Sequence, residues 1–476
     1  MSNKEKINYP LSKGFFPIKF SILCSIFGII VAFILLPDDG NEVKKNIYGK
    51  NTNTNVAFKD ISNFYDENEI TNFFAVVIDA GSTGTRLHLF HSIHQGSSIN
   101  PYAFRIESET FLEVKPGLSN FAYNPEEAAL KVQILIDKAQ QTIPKHLWRH
   151  TPVTLKATAG LRLLKGNKAN DILAKVSDVL RNSGFLMFTD AVSIMPGINE
   201  GVYAWITLNF LTNRVDGVVF NKNAEKLPKM DINETAASMD LGGGSTQLTF
   251  MPNNLSIFEN IKINSVYKTK FFGKSVKLYS HSYLGNGLVA SRLGVSLLHN
   301  ESDDNYLKTP CLPHDLHIKG WSYADNNWTV NGIADSGFGK CLEFNKIYVQ
   351  DITEVKPMKE LSEKDIFGFS YFYDRGLQAG LVPRCSKQLG GYVKVSDYKT
   401  AAEKACLIKK EELGQEHWKP WQCHDLTYIY TLLHYGYGLP DSKKIYLAKK
   451  LRGMEMSWAL GASYDLLTTY FDNYIN

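Results

Sequence analysis

Hydrophobic patterning changes character three times along the chain. Phe20–Leu36 (FSILCSIFGIIVAFILL) runs for 17 residues without a charge and is extended by Phe15, Phe16 and Ile18 on its N-terminal side. A bilayer core takes roughly 17–25 apolar residues, so this run predicts a transmembrane anchor over 20–36. It exceeds the apolar core of an ordinary signal peptide, and Pro37-Asp38-Asp39-Gly40 offers no small-x-small cleavage site. Residues 37–72 are rich in Asn, Asp, Lys and Thr and lack apolar periodicity, which reads as a stalk. From Phe73 onward, short β-type runs alternate with amphipathic helical stretches, the pattern of an α/β protein. The spacing of Ala129, Val132, Ile136 and Ala139 predicts a helix over Pro125–Ile143, and Asp171–Leu180 predicts another. After Pro196-Gly197, Asn199 reads as the N-cap of a helix whose apolar face carries Val202, Trp205, Ile206 and Phe210.

One unit occurs twice. Ala75–Phe90 (AVVIDAGSTGTRLHLF) and Ala237–Phe250 (ASMDLGGGSTQLTF) each read as an apolar strand ending in Asp, a Gly/Ser/Thr loop and a second apolar strand. Asp79 and Asp240 stand 161 positions apart, about one domain length. Two copies imply two related lobes facing one another across a central cleft.

Charge sets the topology and excludes one class of partner. Lys4, Lys6, Lys13 and Lys19 precede the apolar run, and Asp38, Asp39 and Glu42 follow it, although Lys44 and Lys45 dilute the contrast. The positive-inside rule then leaves residues 1–19 in the cytosol and carries the rest across, as a single-pass type II protein. A net charge of +4 over 476 residues, with no basic stripe, argues against nucleic acid as a partner. Beyond Cys24 in the apolar run, Cys311, Cys341, Cys385, Cys406 and Cys423 all lie in the second half and form no C-x-x-C pair. Four of these could make two bridges in an oxidising compartment, leaving one thiol. Glycosylation sequons at Asn233, Asn254, Asn300 and Asn327 fall on the same side of the membrane.

The two loops carry the chemistry. Glycines let the backbone approach an oxyanion, successive amides form a concave anion site, and Ser and Thr hydroxyls add donors. The aspartate at each strand end supplies charge for a divalent cation or its water ligands. The loops lack the Gly-Lys-Ser/Thr ending that leads a P-loop into its helix. Between them, KATAGLRLL places Thr158 and Arg162 in a turn of small residues, where Arg162 is either a site residue or a surface ion-pair partner. Glu200 falls in the first turn of the helix after Pro196-Gly197. Its role is either to stabilise that helix start or to accept a proton from water, and the sequence alone does not separate the two.

In order, DAGSTGTR, ATAGLR, PGINEGVYAW, DLGGGSTQ and YSHSYLGNGL closely resemble the conserved regions of the ecto-nucleoside triphosphate diphosphohydrolase (apyrase) family, from Phe73 to the C-terminus. The resemblance implies a two-lobed actin-like (ribonuclease H-like) ATPase fold, with lobe I over 73–200 completed by about 455–476 and lobe II over 201–454. It implies hydrolysis dependent on Ca2+ or Mg2+ without a phosphoenzyme. By motif position, Glu200 resembles the base that activates water, and Ser245 and Gln247 the residues that position that water. Thr158 resembles the hydroxyl near the terminal phosphate. Asp79 and Asp240 match the aspartates that hold the metal through water. Gly81, Ser82, Thr83, Gly84, Gly242, Gly243 and Gly244 match the loops around the phosphates, with Arg86 and His281 as neighbours. Tyr373 in FSYFYDR is the expected nucleobase stacker, and Trp458 and Gly461 belong to a last, structural motif.

The first loop, the single apolar span and the small number of cysteines are most similar to members that prefer nucleoside diphosphates, UDP and GDP. Their pattern implies bridges Cys311–Cys341 and Cys406–Cys423, with Cys385 left as a free thiol or a partner in a dimer. The implied role is hydrolysis of the diphosphate left by glycosyl transfer in the Golgi or endoplasmic reticulum lumen. The alternative function is a broad-specificity apyrase acting on ATP and ADP at the cell surface, and the alternative locations are the cell surface or, after cleavage of the anchor, secretion. The oligomeric state is not legible in the sequence.

Overall fold

The structure is a computed structural model and describes residues 72–94, 104–215, 218–219, 234–259, 263–271, 274–299, 305–324, 326–383 and 390–474. The expected span and the stalk up to residue 71, together with Cys385, Asn233 and Asn300, lie outside these residues, while Asn72 already belongs to the first strand. Among the described residues no helix is long and apolar enough to cross a membrane.

The first part of the chain builds a six-stranded sheet from β1 (Asn72–Ala80), β2 (Thr85–His94), β3 (Phe104–Val114), β4 (Pro152–Ala157), β5 (Leu186–Ile194) and β6 (Val218–Val219). A second sheet begins with β7 (Ala237–Leu241), β8 (Ser245–Phe250), β9 (Val266–Phe271) and β10 (Lys274–Leu284). A separate small sheet follows, of β11 (Tyr306–Thr309), β12 (His317–Tyr323) and β13 (Asn326–Gly332). The second sheet is then completed by β14 (Ile366–Ser370), β15 (Gly391–Lys394) and β16 (Lys444–Leu447).

The strand orders are β5-β4-β1-β2-β3-β6 and β15-β16-β14-β7-β8-β10-β9. In each, an antiparallel trio (β1-β2-β3 and β7-β8-β10) joins a parallel strand beside its first member, β4 beside β1 and β14 beside β7. The sequence repeat is therefore a repeat of topology. β1 and β4 are apolar on both faces because helices cover both sides of their sheet. Pro125–Thr142 and Lys168–Arg181 pack on one face through Val132, Ile136, Ile172 and Val176. In the first of these helices Asn124 caps the start by accepting from the Glu127 amide, and Ala128 rather than Ala129 is fully buried.

Helix Gly197–Leu211 lies between the two sheets. Trp205, Leu208 and Phe210 share one core with Val77 and Phe90 of the first sheet and Leu278, Phe367 and Phe369 of the second. Its residues from Glu200 to Leu211 are buried almost without exception, so the expected single apolar face is an underestimate. The N-cap position is Pro196, and no side chain caps this end. The expectation that Asn199 serves there is corrected: both Asn199 and Glu200 donate their amides to the Pro196 carbonyl, one turn inside the helix. C-terminal helix Ala459–Tyr474 packs across it, where a Cβ on Gly461 would sit 2.2 Å from the Tyr203 carbonyl oxygen. Trp458 is buried in the same core.

Both disulfides implied by the resemblance are present, Cys311–Cys341 and Cys406–Cys423. Beside the second, Asp425 is wholly buried and accepts from Arg292 Nε and Nη2 at 2.8 and 2.6 Å, with Arg375 Nε 2.8 Å away. The two guanidiniums hold its carboxyl well below the usual range against the cost of its burial. Removing one partner of a buried ion cluster leaves uncompensated charge. Asp425→Ala should therefore lower unfolding stability by about 3–5 kcal/mol, read as a reduced urea midpoint at neutral pH. A midpoint within error of the wild type would show that the cluster is not structural.

Candidate active site

Hairpins β1–β2 and β7–β8 place their turns against each other. A Cβ on Gly243 would lie 2.5 Å from Ser82 Oγ, so the missing side chain there leaves room for the Ser82 hydroxyl of the first loop. The turn after β4 closes the third side. Gly160 sits where a Cβ would be 2.8 Å from Ser82 Cα, and Ala159 Cβ is 3.0 Å from the equivalent point on Gly244. Thr158, buried at the start of this turn, donates its amide to the Ala80 carbonyl at 3.2 Å.

The direction of the second loop's amides follows from where its carbonyls go. Leu288 N–H donates to the Gly242 oxygen at 2.9 Å, Val289 and Ala290 to the Gly243 oxygen at 3.0 and 2.9 Å, and Gly285 to the Gly244 oxygen at 2.9 Å. In a trans peptide the N–H points opposite to the C=O. Drawing three successive carbonyls toward residues 285–290 therefore turns the amides of Gly243, Gly244 and Ser245 to the other side. That row of donors has the form of an anion-binding concavity. Gly287 permits the close approach, since a Cβ there would lie 2.3 Å from the Gly243 carbonyl. Asn286 anchors this supporting segment: its backbone oxygen accepts from Thr246 and Tyr428, and its side chain from Thr353.

Three carboxylates converge on the loops. Asp79 and Asp240 end β1 and β7 and are buried, and each keeps its Oδ1 without a hydrogen-bond partner among the described residues. Glu200 is 7% exposed and is paired with Arg162. Burial raises the Glu200 carboxyl to about 7; Arg162 opposes this, while Asp240 and Asp79 add to it. Burial likewise lifts Asp240 to about 6, opposed by a hydrogen bond from Ser370 and by Arg86. Two orphaned carboxylate oxygens among donor-rich loops suit a hard divalent cation that keeps most of its ligands as water. Among the described residues no group of three His, Cys, Asp or Glu side chains could hold a metal by itself.

Ser245 and Gln247 alternate on β8, facing the start of the Glu200 helix. Gln247 Nε2 donates to Ser245 Oγ at 2.7 Å and to Ser282 Oγ at 3.0 Å. With both N–H bonds engaged, Gln247 has its carbonyl Oε1 left to present. A Cβ on Gly197 would lie 2.4 Å from Ser282, so the helix start and these two strands form one packed unit. Arg86 is tied into the sheet, donating to Asp79 at 3.2 Å and to Glu113 at 3.0 Å.

Other expected residues lie elsewhere. Strand alternation puts His281 on the face opposite Ser280 and Ser282, where its Nδ1 meets Ser265 Oγ at 2.7 Å. Tyr373 is 1% exposed within the core of the second sheet, while Tyr371, two residues earlier, is only partly buried. Sequence reasoning missed Glu113, Ser282 and Ser370. Ser282 sits inside the quoted YSHSYLGNGL, and its even spacing from Ser280 was the available signal. Ser370 has a φ of 56°, unusual for a non-glycine residue, which no sequence pattern announces.

The model of the GDA1/CD39 (nucleoside phosphatase) family matches residues 65–472. The chain is similar to nucleoside-diphosphatase uda-1 of Caenorhabditis elegans, 43% identical over 82% of this chain and 81% of that one. It is also similar to the human nucleoside diphosphate phosphatase ENTPD5, 36% identical over 83% of this chain and 87% of that one. Among solved structures, a nucleoside triphosphate hydrolase from Neospora caninum superposes with a TM-score of 0.59 at 14% identity, covering 85% of this chain and 95% of that one. The architecture is thus a mixed α/β, actin-like fold.

The raised carboxyls make stability depend on pH in a definite direction. Between 4.5 and about 7 the folded protein holds a proton on Glu200 that the unfolded chain releases, so stability falls as pH rises through that window. Thermal unfolding in chelator should show Tm decreasing from pH 5 to pH 7, and Glu200→Gln should flatten the decrease. Identical pH profiles for the two proteins would exclude Glu200 as its source.

Proposed function

The chain belongs to the GDA1/CD39 nucleoside phosphatase family, and on that premise we propose that it hydrolyses the terminal phosphate of nucleoside diphosphates, UDP and GDP. The observation that carries this reading is the convergence of two glycine loops on a buried carboxylate whose proton affinity is raised to about 7. Two relatives, nucleoside-diphosphatase uda-1 and the human nucleoside diphosphate phosphatase ENTPD5, carry names that specify the diphosphate, which supports this reading.

The loop amides of Gly243, Gly244 and Ser245, with Ser82, Thr83 and Gly84 opposite, hold the diphosphate oxygens. Thr158 donates to the terminal phosphate, and Gly81 and Gly242 set the turns. Water is held by Ser245 Oγ and Gln247 Oε1 and gives its proton to Glu200 as its oxygen attacks the terminal phosphorus. The bond from phosphorus to the bridging oxygen breaks, releasing nucleoside monophosphate and inorganic phosphate. Positioning and charge stabilisation supply most of the acceleration in such a transfer. Asp79 and Asp240 would hold Ca2+ or Mg2+ through water, and the bound cation would neutralise charge on the phosphates. The Arg162 guanidinium keeps Glu200 aimed and limits the rise of its proton affinity.

The same reading takes residues 20–36 as a signal anchor, with the catalytic body in the Golgi or endoplasmic reticulum lumen and the nucleotide as its partner. Two of the four sequons, Asn254 and Asn327, are exposed and open to glycosylation.

Glu200→Gln should lower kcat by about 10²–10⁴-fold with UDP affinity retained, measured by phosphate release and by equilibrium binding. Wild-type turnover should be faster with UDP and GDP than with ADP or ATP in Ca2+ or Mg2+. Near-normal turnover of the variant removes Glu200 as base, and ATP as the best substrate removes the diphosphatase reading.

A further inference from the structure

The small sheet β11–β13 is inserted into the second half of the fold and brings one unsatisfied donor to the phosphate loops. Tyr323 ends β12, and its hydroxyl oxygen is buried with no hydrogen-bond partner among the described residues. That oxygen is 3.8 Å from the point a Cβ would occupy on Gly244, on the same flank as Ala159 and Leu163. Tyr371 lies within electrostatic range of both Tyr323 and Arg86, which puts the phenol on the side of the loop network.

The ring cannot turn its hydroxyl away to water without breaking a stack. Trp321 lies parallel to Tyr323 at 5.8 Å between centroids, tilted by only 7°. Trp321 in turn packs on Trp421 at 4.9 Å, and Arg292 of the buried ion cluster covers Trp421 at 4.6 Å. The Trp328 indole N–H donates to the Tyr323 carbonyl at 3.0 Å and pins the backbone. An aromatic stack anchored in the core thus holds a buried O–H beside Gly244 with no acceptor among the described residues. A buried donor left unpaired destabilises a fold, and a ligand oxygen that accepts from it offsets that cost.

We propose that Tyr323 is a substrate-binding residue whose hydroxyl donates to a phosphate oxygen of the nucleoside diphosphate held by the Gly242–Gly244 loop. The proposal rests on the hydrolase reading above and adds to it a contact supplied by the inserted sheet. A phosphate oxygen is the fitting acceptor: it is anionic, it lies where the Gly244 and Ser245 amides point, and the same contact serves every base. The inserted sheet is then a wall of the phosphate site, and changes in its aromatic stack act on affinity without touching the carboxylates.

The test is Tyr323→Phe, which removes one oxygen and keeps the ring. The full-length protein and the variant are compared in kcat and KM for UDP and GDP, in inhibition by inorganic pyrophosphate, which has neither ribose nor base, and in Tm without nucleotide. The proposal expects kcat/KM to fall roughly tenfold for UDP and GDP alike, as for loss of a hydrogen bond to a charged group. It expects the pyrophosphate inhibition constant to rise by a similar factor and the nucleotide-free Tm to stay equal or increase, because the unsatisfied donor is gone. Unchanged kcat/KM, a loss confined to one base, an unchanged pyrophosphate constant, or a lowered nucleotide-free Tm would each overturn it. A wild-type protein that releases no phosphate from any nucleotide would sink the hydrolase reading as a whole.

Discussion

Three carboxylates are buried close enough to repel one another, and much of the site's architecture answers that constraint. Asp79, Asp240 and Glu200 come from the two hairpins and from the helix between the sheets. Burial disfavours the charged forms of Glu200 and Asp240, and repulsion from neighbouring carboxylates adds to it. The arginines offset part of this, Arg162 at Glu200 and Arg86 at Asp240, with Asp79 and Glu113 holding Arg86 in place. Ser370 contributes its hydrogen bond to Asp240 at the cost of a left-handed backbone. The two aspartate oxygens without a hydrogen-bond partner among the described residues leave negative charge there that further positive charge would balance.

Bringing such groups together requires backbones to approach more closely than side chains allow. At Gly243 against Ser82, Gly287 against Gly243, Gly197 against Ser282 and Gly461 against Tyr203, an added Cβ would fall within 2.5 Å of a neighbouring atom. These contacts join the two hairpins, the segment that orients their amides, the helix bearing Glu200 and the helix that closes the chain. Amide direction is set indirectly: residues 285–290 claim the carbonyls of Gly242, Gly243 and Gly244, and the amides of Gly243, Gly244 and Ser245 point to the other side as a consequence. The Asp425 cluster and the packed pair Trp321 and Trp421 play a similar supporting part, fixing the helices and the inserted sheet from the core outward.

The comparison of sequence with structure divides along the range of the interactions. Both hairpins and the helices expected over Pro125–Ile143 and Asp171–Leu180 were legible because each depends on a local period or a local turn. The Gln247 amide is different. Its orientation depends on Ser282, 35 positions away, and no spacing rule connects β8 to β10 in advance. Asn199 was misplaced by one turn because Pro196 begins the helix with no side-chain cap. Tyr373 was selected for its motif, whereas the helix turns its ring into the core.

The sequence by itself determined the chemical inventory: two Asp-ended glycine hairpins, a carboxylate at a helix start, and alternating periods that commit the chain to an α/β fold. Those features reside in near neighbours, so composition and spacing carry them. Tertiary structure decided which of the inventory meets. It set Glu200 among two aspartates and one arginine, turned His281 away, and brought Tyr323 from an inserted sheet to Gly244. Burial, proton affinity and amide direction arise from contacts between segments far apart in the chain, and only packing two sheets around one helix creates them.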